Sequence, residues 1–106
     1  MENPLRGDVA LIINGQRHVL RLILGALAAL EARLESRSLM DLAQRFETGE
    51  ISATDLVALL TAGLMGGGYD MTEAELANAD IEGGAVGALH AGMALLARAF
   101  QPLSDG

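Results

Sequence analysis

The alternation of apolar and polar residues near the N-terminus predicts a β-hairpin. Two apolar runs, 8–13 and 16–22, flank the pair Asn14-Gly15. Asn-Gly is the pair best suited to the two positive φ angles of a type I′ turn, which joins two strands through two residues. In that register Asp8 opposes Arg21, and one face of the hairpin is apolar except for a histidine. The face expected to point to the core consists of Val9, Leu11, Ile13, His18, Leu20 and Leu22.

Beyond residue 23 the apolar residues recur at steps of three and four, which predicts helices. Five are expected, at residues 24–35, 39–48, 53–65, 73–79 and 85–100. Three of them begin with a hydroxyl residue that is followed three positions later by an acidic one, the pattern of a capping box. These pairs are Ser38 with Asp41, Ser52 with Asp55 and Thr72 with Glu75. The expected fold is α+β, mostly α, with an N-terminal hairpin followed by about five short helices in a compact bundle.

A chain of 106 residues fits one domain with one core. We expect a single domain 1–106, with the hairpin at 8–22, the helical part at 24–100 and a flexible tail at 103–106. The run Gly66-Gly67-Gly68 is not followed by Lys and Ser or Thr, so it predicts a helix stop with a flexible joint rather than a phosphate-binding loop. Small residues four apart in the last helix predict tight packing within the domain, or less often a helix partner. They are Gly84, Ala88 and Gly92.

The composition is apolar and acidic, which narrows the range of partners. Apolar residues make up 51% of the chain, and its net charge is −7. Because affinity for nucleic-acid phosphates comes largely from Lys and Arg, we expect no nucleic acid as partner. All seven basic residues are arginines, a bias typical of a GC-rich bacterial genome or of a phage or prophage in one. No signal peptide or membrane segment is recognisable, so a cytoplasmic protein is expected. The surplus of apolar residues is expected to leave surface for a protein partner.

No group of residues in the sequence predicts catalysis or a cofactor. The chain has no cysteine, and neither His18 nor His90 has a second ligand at a suitable spacing, so no metal site is expected. We interpret His18 as a strand-face residue and His90 as a partly buried, hydrogen-bonded one. A calcium loop beginning at Asp70 would need Gly sixth and Glu twelfth, where Glu75 and Ile81 stand. The acidic stretch 70–82 is therefore expected to be a solvated face, which could also steer a basic partner segment. The sequence thus predicts a protein that is not an enzyme.

Methionines on either side of the glycine run point to a binding surface. Met65 precedes the run and Met71 follows it. Methionine side chains beside a flexible joint can line an adaptable apolar groove, although each of them can equally fill a core. The residues expected to contact a protein partner are Leu60, Leu64, Met65, Met71 and Met93, with core packing as the alternative for each.

Several segments resemble the tail proteins of gene transfer agents. Residues 20–31, LRLILGALAALE, resemble the strand-to-helix junction of that family. The same family is matched, in order, by SL at 38–39, FETG at 46–49, AGL at 62–64 and LLARAF at 95–100. The resemblance extends over nearly the whole chain. The family is described both as tail-assembly chaperones and as tail tube proteins of phage-like particles.

The resemblance implies a role in building a phage-type tail. The first hypothesis is a tail-assembly chaperone that shields the helical tape-measure protein while the tube polymerises around it. The alternative is a structural tail component, in a tube or ring, whose hairpin edge joins neighbouring copies. A third hypothesis, a small acidic carrier like the acyl carrier proteins, lacks the Asp-Ser-Leu attachment site, since the only Ser-Leu pair follows Arg37.

Overall fold

The N-terminal part of the chain forms the predicted hairpin. The computed structural model describes residues 8–34 and 38–100. Strands β1 (Val9–Ile13) and β2 (Gln16–Leu20) are antiparallel. The φ angles of Asn14 and Gly15 are 53° and 79°, as a type I′ turn requires. Leu11 lies opposite His18, and the predicted inner face is buried as far as Leu20, with Leu22 half-buried.

Five helices follow in the predicted order. They are α1 (Leu24–Arg33), α2 (Leu39–Thr48), α3 (Ala53–Gly66), α4 (Glu73–Ala77) and α5 (Gly84–Ala99). The predicted fold class is therefore confirmed. Helix α4 ends two residues earlier than predicted, where the side-chain amide of Asn78 donates to the carbonyl oxygen of Ala74 at 2.9 Å. The expected flexible tail at 103–106 lies outside the described residues.

The hydroxyl residues cap the helices at the predicted positions. In α2 and α3 a serine oxygen accepts a hydrogen bond from the backbone N–H three residues later, at 3.1 Å for Ser38 and 3.0 Å for Ser52. At α4 both halves of the box form, because Thr72 accepts from the N–H of Glu75 and the Glu75 carboxylate accepts from that of Thr72. These bonds satisfy N–H groups that a helix start leaves without intrahelical partners. They explain why the local sequence fixes where these helices begin.

Helix α3 is the central element of the core. It packs against α1, α4, α5 and β2, so it is buried on several sides. Leucines from the hairpin and the helices meet around it with almost no exposure to solvent. The largest fully buried aliphatic side chains are Ile13, Leu20, Leu30, Leu42, Leu59, Leu60, Leu64, Leu76 and Leu95. The hairpin and helices therefore share one hydrophobic core.

The glycine run ends α3, as predicted, and it also lets α3 approach the hairpin. A Cβ on Gly66 would lie 1.8 Å from the carbonyl oxygen of Arg21, and a Cβ on Gly67 would lie 2.0 Å from that of Val19. The N–H of Arg21 donates to the carbonyl oxygen of Gly63 at 2.9 Å. No other residue type fits such a backbone contact. We call this contact the glycine seam, formed by Gly63, Gly66 and Gly67 against residues 19–21.

Helix α5 packs through small residues, as predicted. A Cβ on Gly92 would lie 2.9 Å from Leu56 Cδ1 of α3 and 3.0 Å from Phe46 Cζ of α2. Ala88 is buried, whereas Gly84 is exposed at the helix start with a φ of 61°. The prediction for His90 is wrong, because this residue is exposed on the outer side of α5. Since α5 carries apolar residues nearly all round, its sequence did not show which side would face the core. Within the described part of the chain, no helix combines the length and the apolarity needed to cross a membrane.

Candidate protein-binding surface

An apolar groove lies between α1, α3 and the segment that leads into α4. Its volume is about 560 Å³. Alanines of α1 and α3 line it, together with a methionine of α3 and a methionine of the following loop. We call it the methionine groove and define it by Ala29, Ala58, Ala62, Met65 and Met71. Its size and apolar lining suit the side chains of another polypeptide.

The rim of the methionine groove carries charges. Arg33 Nε of α1 lies 2.6 Å from Glu73 Oε2 of α4, so an ion pair joins the two helices across the groove. Asp70 and Thr72 also line the rim. The Arg33 side chain is mostly exposed, and an exposed pair contributes about 0–1 kcal/mol. The ion pair therefore fixes the rim only weakly.

The structure separates the five residues expected to bind a partner. Met65, which is 48% exposed, and the half-buried Met71 both line the methionine groove. Leu60 and Leu64 are 1% and 0% exposed, so a partner could touch them only if the core opened. They are buried because α3 is surrounded by other elements on several sides. Met93 is 50% exposed, but it lies on α5 and does not line this groove.

Met93 belongs to a second exposed surface that the sequence reasoning missed. On the outer side of α5, five exposed residues recur at alternating steps of four and three. Val86 and Phe100 are 61% and 45% exposed. We call this surface the α5 outer stripe, which consists of Val86, His90, Met93, Ala97 and Phe100. The spacing was visible in the sequence, but a second set of apolar residues on α5 has the same period and forms the buried side.

One ion pair stabilises the hairpin and is not part of a binding surface. Arg21 Nε lies 2.6 Å from Oδ1 of Asp8, whose side chain is buried. The hydrogen bond to Asp8 holds the pKa of Arg21 above its usual value, and the charge of Asp8 acts in the same direction. Arg21 therefore stays protonated and holds the end of β2 to the start of β1. In residues 8–34 and 38–100, no cluster of His, Asp or Glu could hold a metal ion.

The hairpin edges are partly occupied by other segments of the chain. On the β1 side, Glu82 N–H donates to Ile12 O at 3.0 Å and Asn14 N–H donates to Asp80 O at 2.7 Å. On the β2 side, Val19 N–H donates to the hydroxyl of Tyr69 at 3.1 Å. A second copy adding a strand at these positions would have to displace these bonds.

Comparison with known proteins gives one family. No curated protein and no solved structure matches the chain. A family model described as "Phage tail tube protein, GTA-gp10" matches residues 6–102, which include all the elements described above. The chain therefore belongs to this family of tail proteins of phages and gene transfer agents.

Proposed function

We propose that this chain is a structural component of a phage-type tail, placed in its tube or in a ring attached to it. The observation that carries the proposal is the family match over residues 6–102, because it spans the hairpin and all five helices. The family is one of structural tail proteins. Assembly would take place in the bacterial cytoplasm, and the finished particle would contain the protein. The expected partners are other tail proteins, with no nucleic acid and no membrane.

The surface of the molecule supports this proposal. A tail component must contact its neighbours through apolar patches that are exposed in the single chain. The methionine groove and the α5 outer stripe are two such patches on a small molecule. Neither of them holds a group of side chains arranged for catalysis.

The composition of purified particles tests the proposal. Particles are isolated from cells that produce them, and the copy number of this chain is measured by quantitative mass spectrometry against the other tail proteins. We expect several copies per particle, retained after washing at high salt. Finding none in particles with complete tails would overturn the proposal.

A tail-assembly chaperone is the second candidate function. The methionine groove favours it, because methionine-lined grooves adapt to different apolar helices, as a binder of the tape-measure protein would need to. Co-expression with the tape-measure protein, followed by pull-down, tests this candidate. A complex that forms in cells, together with particles that lack the chain, would favour the chaperone over the structural component.

A further inference from the structure

We propose that the α5 outer stripe of one copy binds in the methionine groove of the next copy, so that copies join head to tail. The inference rests on the proposed function as a structural tail component and names the surfaces through which copies meet. The partner is therefore a second copy of this chain.

The two surfaces match in shape and apolarity. Helices commonly dock in grooves through apolar residues spaced at three and four along one side. The α5 outer stripe has this spacing over 86–100, and four of its five residues are apolar. The methionine groove is lined by alanines, whose small side chains let a helix come close, and by Met65 and Met71, whose flexible side chains can adapt to it.

The stripe of one copy cannot bind in the groove of the same copy. The buried side of α5 packs on α3, where Gly92 meets Leu56 and Leu59. The stripe is on the opposite side of α5, whereas the methionine groove uses other residues of α3, among them Ala58 and Ala62. The central helix α3 thus lies between the two surfaces. Because the two surfaces differ, a contact between two copies leaves one stripe and one groove unoccupied. Further copies can therefore be added through the same contact.

Opposite charges lie beside the two surfaces, because the half-buried Arg98 follows Ala97 of the stripe and Asp70 lines the groove. Helix α5 carries no acidic residue, and its polar side chains are those of His90 and Arg98. Arg98 is the first basic residue after Arg45 along the chain. The groove rim carries Asp70 beside the ion pair of Arg33 with Glu73. Among the described residues Arg98 and Asp70 form no ion pair, so both charges are available to a neighbour. Asp70 is therefore a favourable partner for Arg98 of a neighbouring copy.

Sedimentation equilibrium of the purified full chain tests the proposal. We expect the wild type to associate as its concentration rises. Met93→Glu in the stripe and Met65→Glu in the groove should each raise the dissociation constant by about tenfold or more, since each buries a charge in the contact. Ala29→Glu, at an exposed groove position, is a second groove variant in case Met65→Glu disturbs the fold. Met40→Glu is the matched control, because Met40 is 61% exposed on α2 and belongs to neither surface.

A mixture of the two defective variants gives the sharper result. Met93→Glu keeps an intact groove and Met65→Glu keeps an intact stripe. In a mixture, the stripe of Met65→Glu can therefore bind in the groove of Met93→Glu. We expect each variant alone to be monomeric and an equimolar mixture to form a 1:1 dimer that grows no further. A monomeric wild type, an equal loss in Met40→Glu, or a mixture that stays monomeric would each overturn the proposal. If a tape-measure helix occupied the groove instead, self-association would not depend on Met65.

Particle composition separates this proposal from the one on which it rests. If the chain is present in particles but Met93→Glu and Met65→Glu leave its self-association unchanged, only the head-to-tail contact is overturned. A chain that associates through both surfaces in solution but is missing from complete particles would overturn only the structural role.

Discussion

Gly66 lies where the end of α3 meets the backbone that follows β2, and we expect Gly66→Ala to destabilise the protein. The added Cβ would lie 1.8 Å from the Arg21 carbonyl oxygen, so backbone must move. Overpacking of this kind costs about 1–3 kcal/mol or more, against at most about 1 kcal/mol gained from the helix propensity of alanine. Urea unfolding should therefore show a net loss of about 2 kcal/mol.

Gly25→Ala is the matched control for Gly66→Ala. Gly25 is also helical, but a Cβ there would meet nothing within 4 Å. The same change should leave stability unchanged or raise it by up to about 1 kcal/mol. If both alanine variants unfolded at the same urea concentration, the glycine seam would not be the reason for glycine at position 66.

Tyr69 joins the loop after α3 to the hairpin, so Tyr69→Phe tests a single hydrogen bond. The variant removes the hydroxyl that accepts a hydrogen bond from Val19 N–H. It keeps the ring, which packs edge-on against His18 with the two ring centroids 4.6 Å apart. We expect a loss of about 0.5–1.5 kcal/mol, as for one hydrogen bond. Urea unfolding measures it, and amide exchange at Val19 should accelerate more than at Leu11. Unchanged exchange at Val19 would contradict this role.

These residue-level contacts show what the sequence could not reveal. Three glycines in a row predict a helix stop from local chemistry alone, and α3 does end there. That Gly66 and Gly67 also contact the backbone of β2 and of the residue after it depends on which segment packs against them, which no local pattern encodes. The bond from Val19 to Tyr69 joins residues fifty positions apart and was equally out of reach.

At the scale of the elements, loss of the cap of α3 should lower the stability of the whole molecule, because α3 is the central element of the core. Ser52→Ala removes the acceptor for the N–H of Asp55 and is expected to cost about 1 kcal/mol of global stability. Ser52→Asn is the control, since asparagine caps about as well as serine. Thermal unfolding compares the three proteins. A Ser52→Asn variant as unstable as Ser52→Ala would indicate that serine acts here in some other way than as a cap.

The elements were predictable wherever local chemistry decides them. The turn at Asn14-Gly15 sets the hairpin register, and hydroxyl residues set the starts of α2, α3 and α4. It was harder to predict which side of each helix faces the core. Helix α5 has apolar residues on its buried side and on its outer stripe, so its period alone fits two orientations, and His90 was assigned to the wrong side.

The five residues expected to bind a partner do not lie on one surface, and the reasons belong to the whole molecule. Met65 and Met71 share a groove because the glycine run turns the chain back beside α3. Leu60 and Leu64 are buried because α3 has neighbours on several sides. Assigning apolar residues to core or surface requires the packing of all the elements.

Charge reversal tests the head-to-tail contact at the scale of the assembly. If Arg98 of one copy faces Asp70 of the next, Arg98→Glu and Asp70→Arg should each weaken association. A surface ion pair is worth about 0.2–1 kcal/mol, which corresponds to about 1.4- to fivefold in the dissociation constant. The double variant, with both changes in one chain, should regain most of the lost affinity, because every contact then keeps an ion pair whose two charges have exchanged places.

Arg45→Glu separates this local effect from the net charge. It makes the chain more acidic by the same amount as Arg98→Glu, but Arg45 pairs with Asp41 on α2, away from both surfaces. Sedimentation at low and high salt should show a weakening by Arg98→Glu that salt largely removes, since exposed charges are screened. If Arg45→Glu weakened association equally, repulsion between acidic chains would explain the result. If the double variant stayed as weak as the singles, Arg98 and Asp70 would not face each other across the contact.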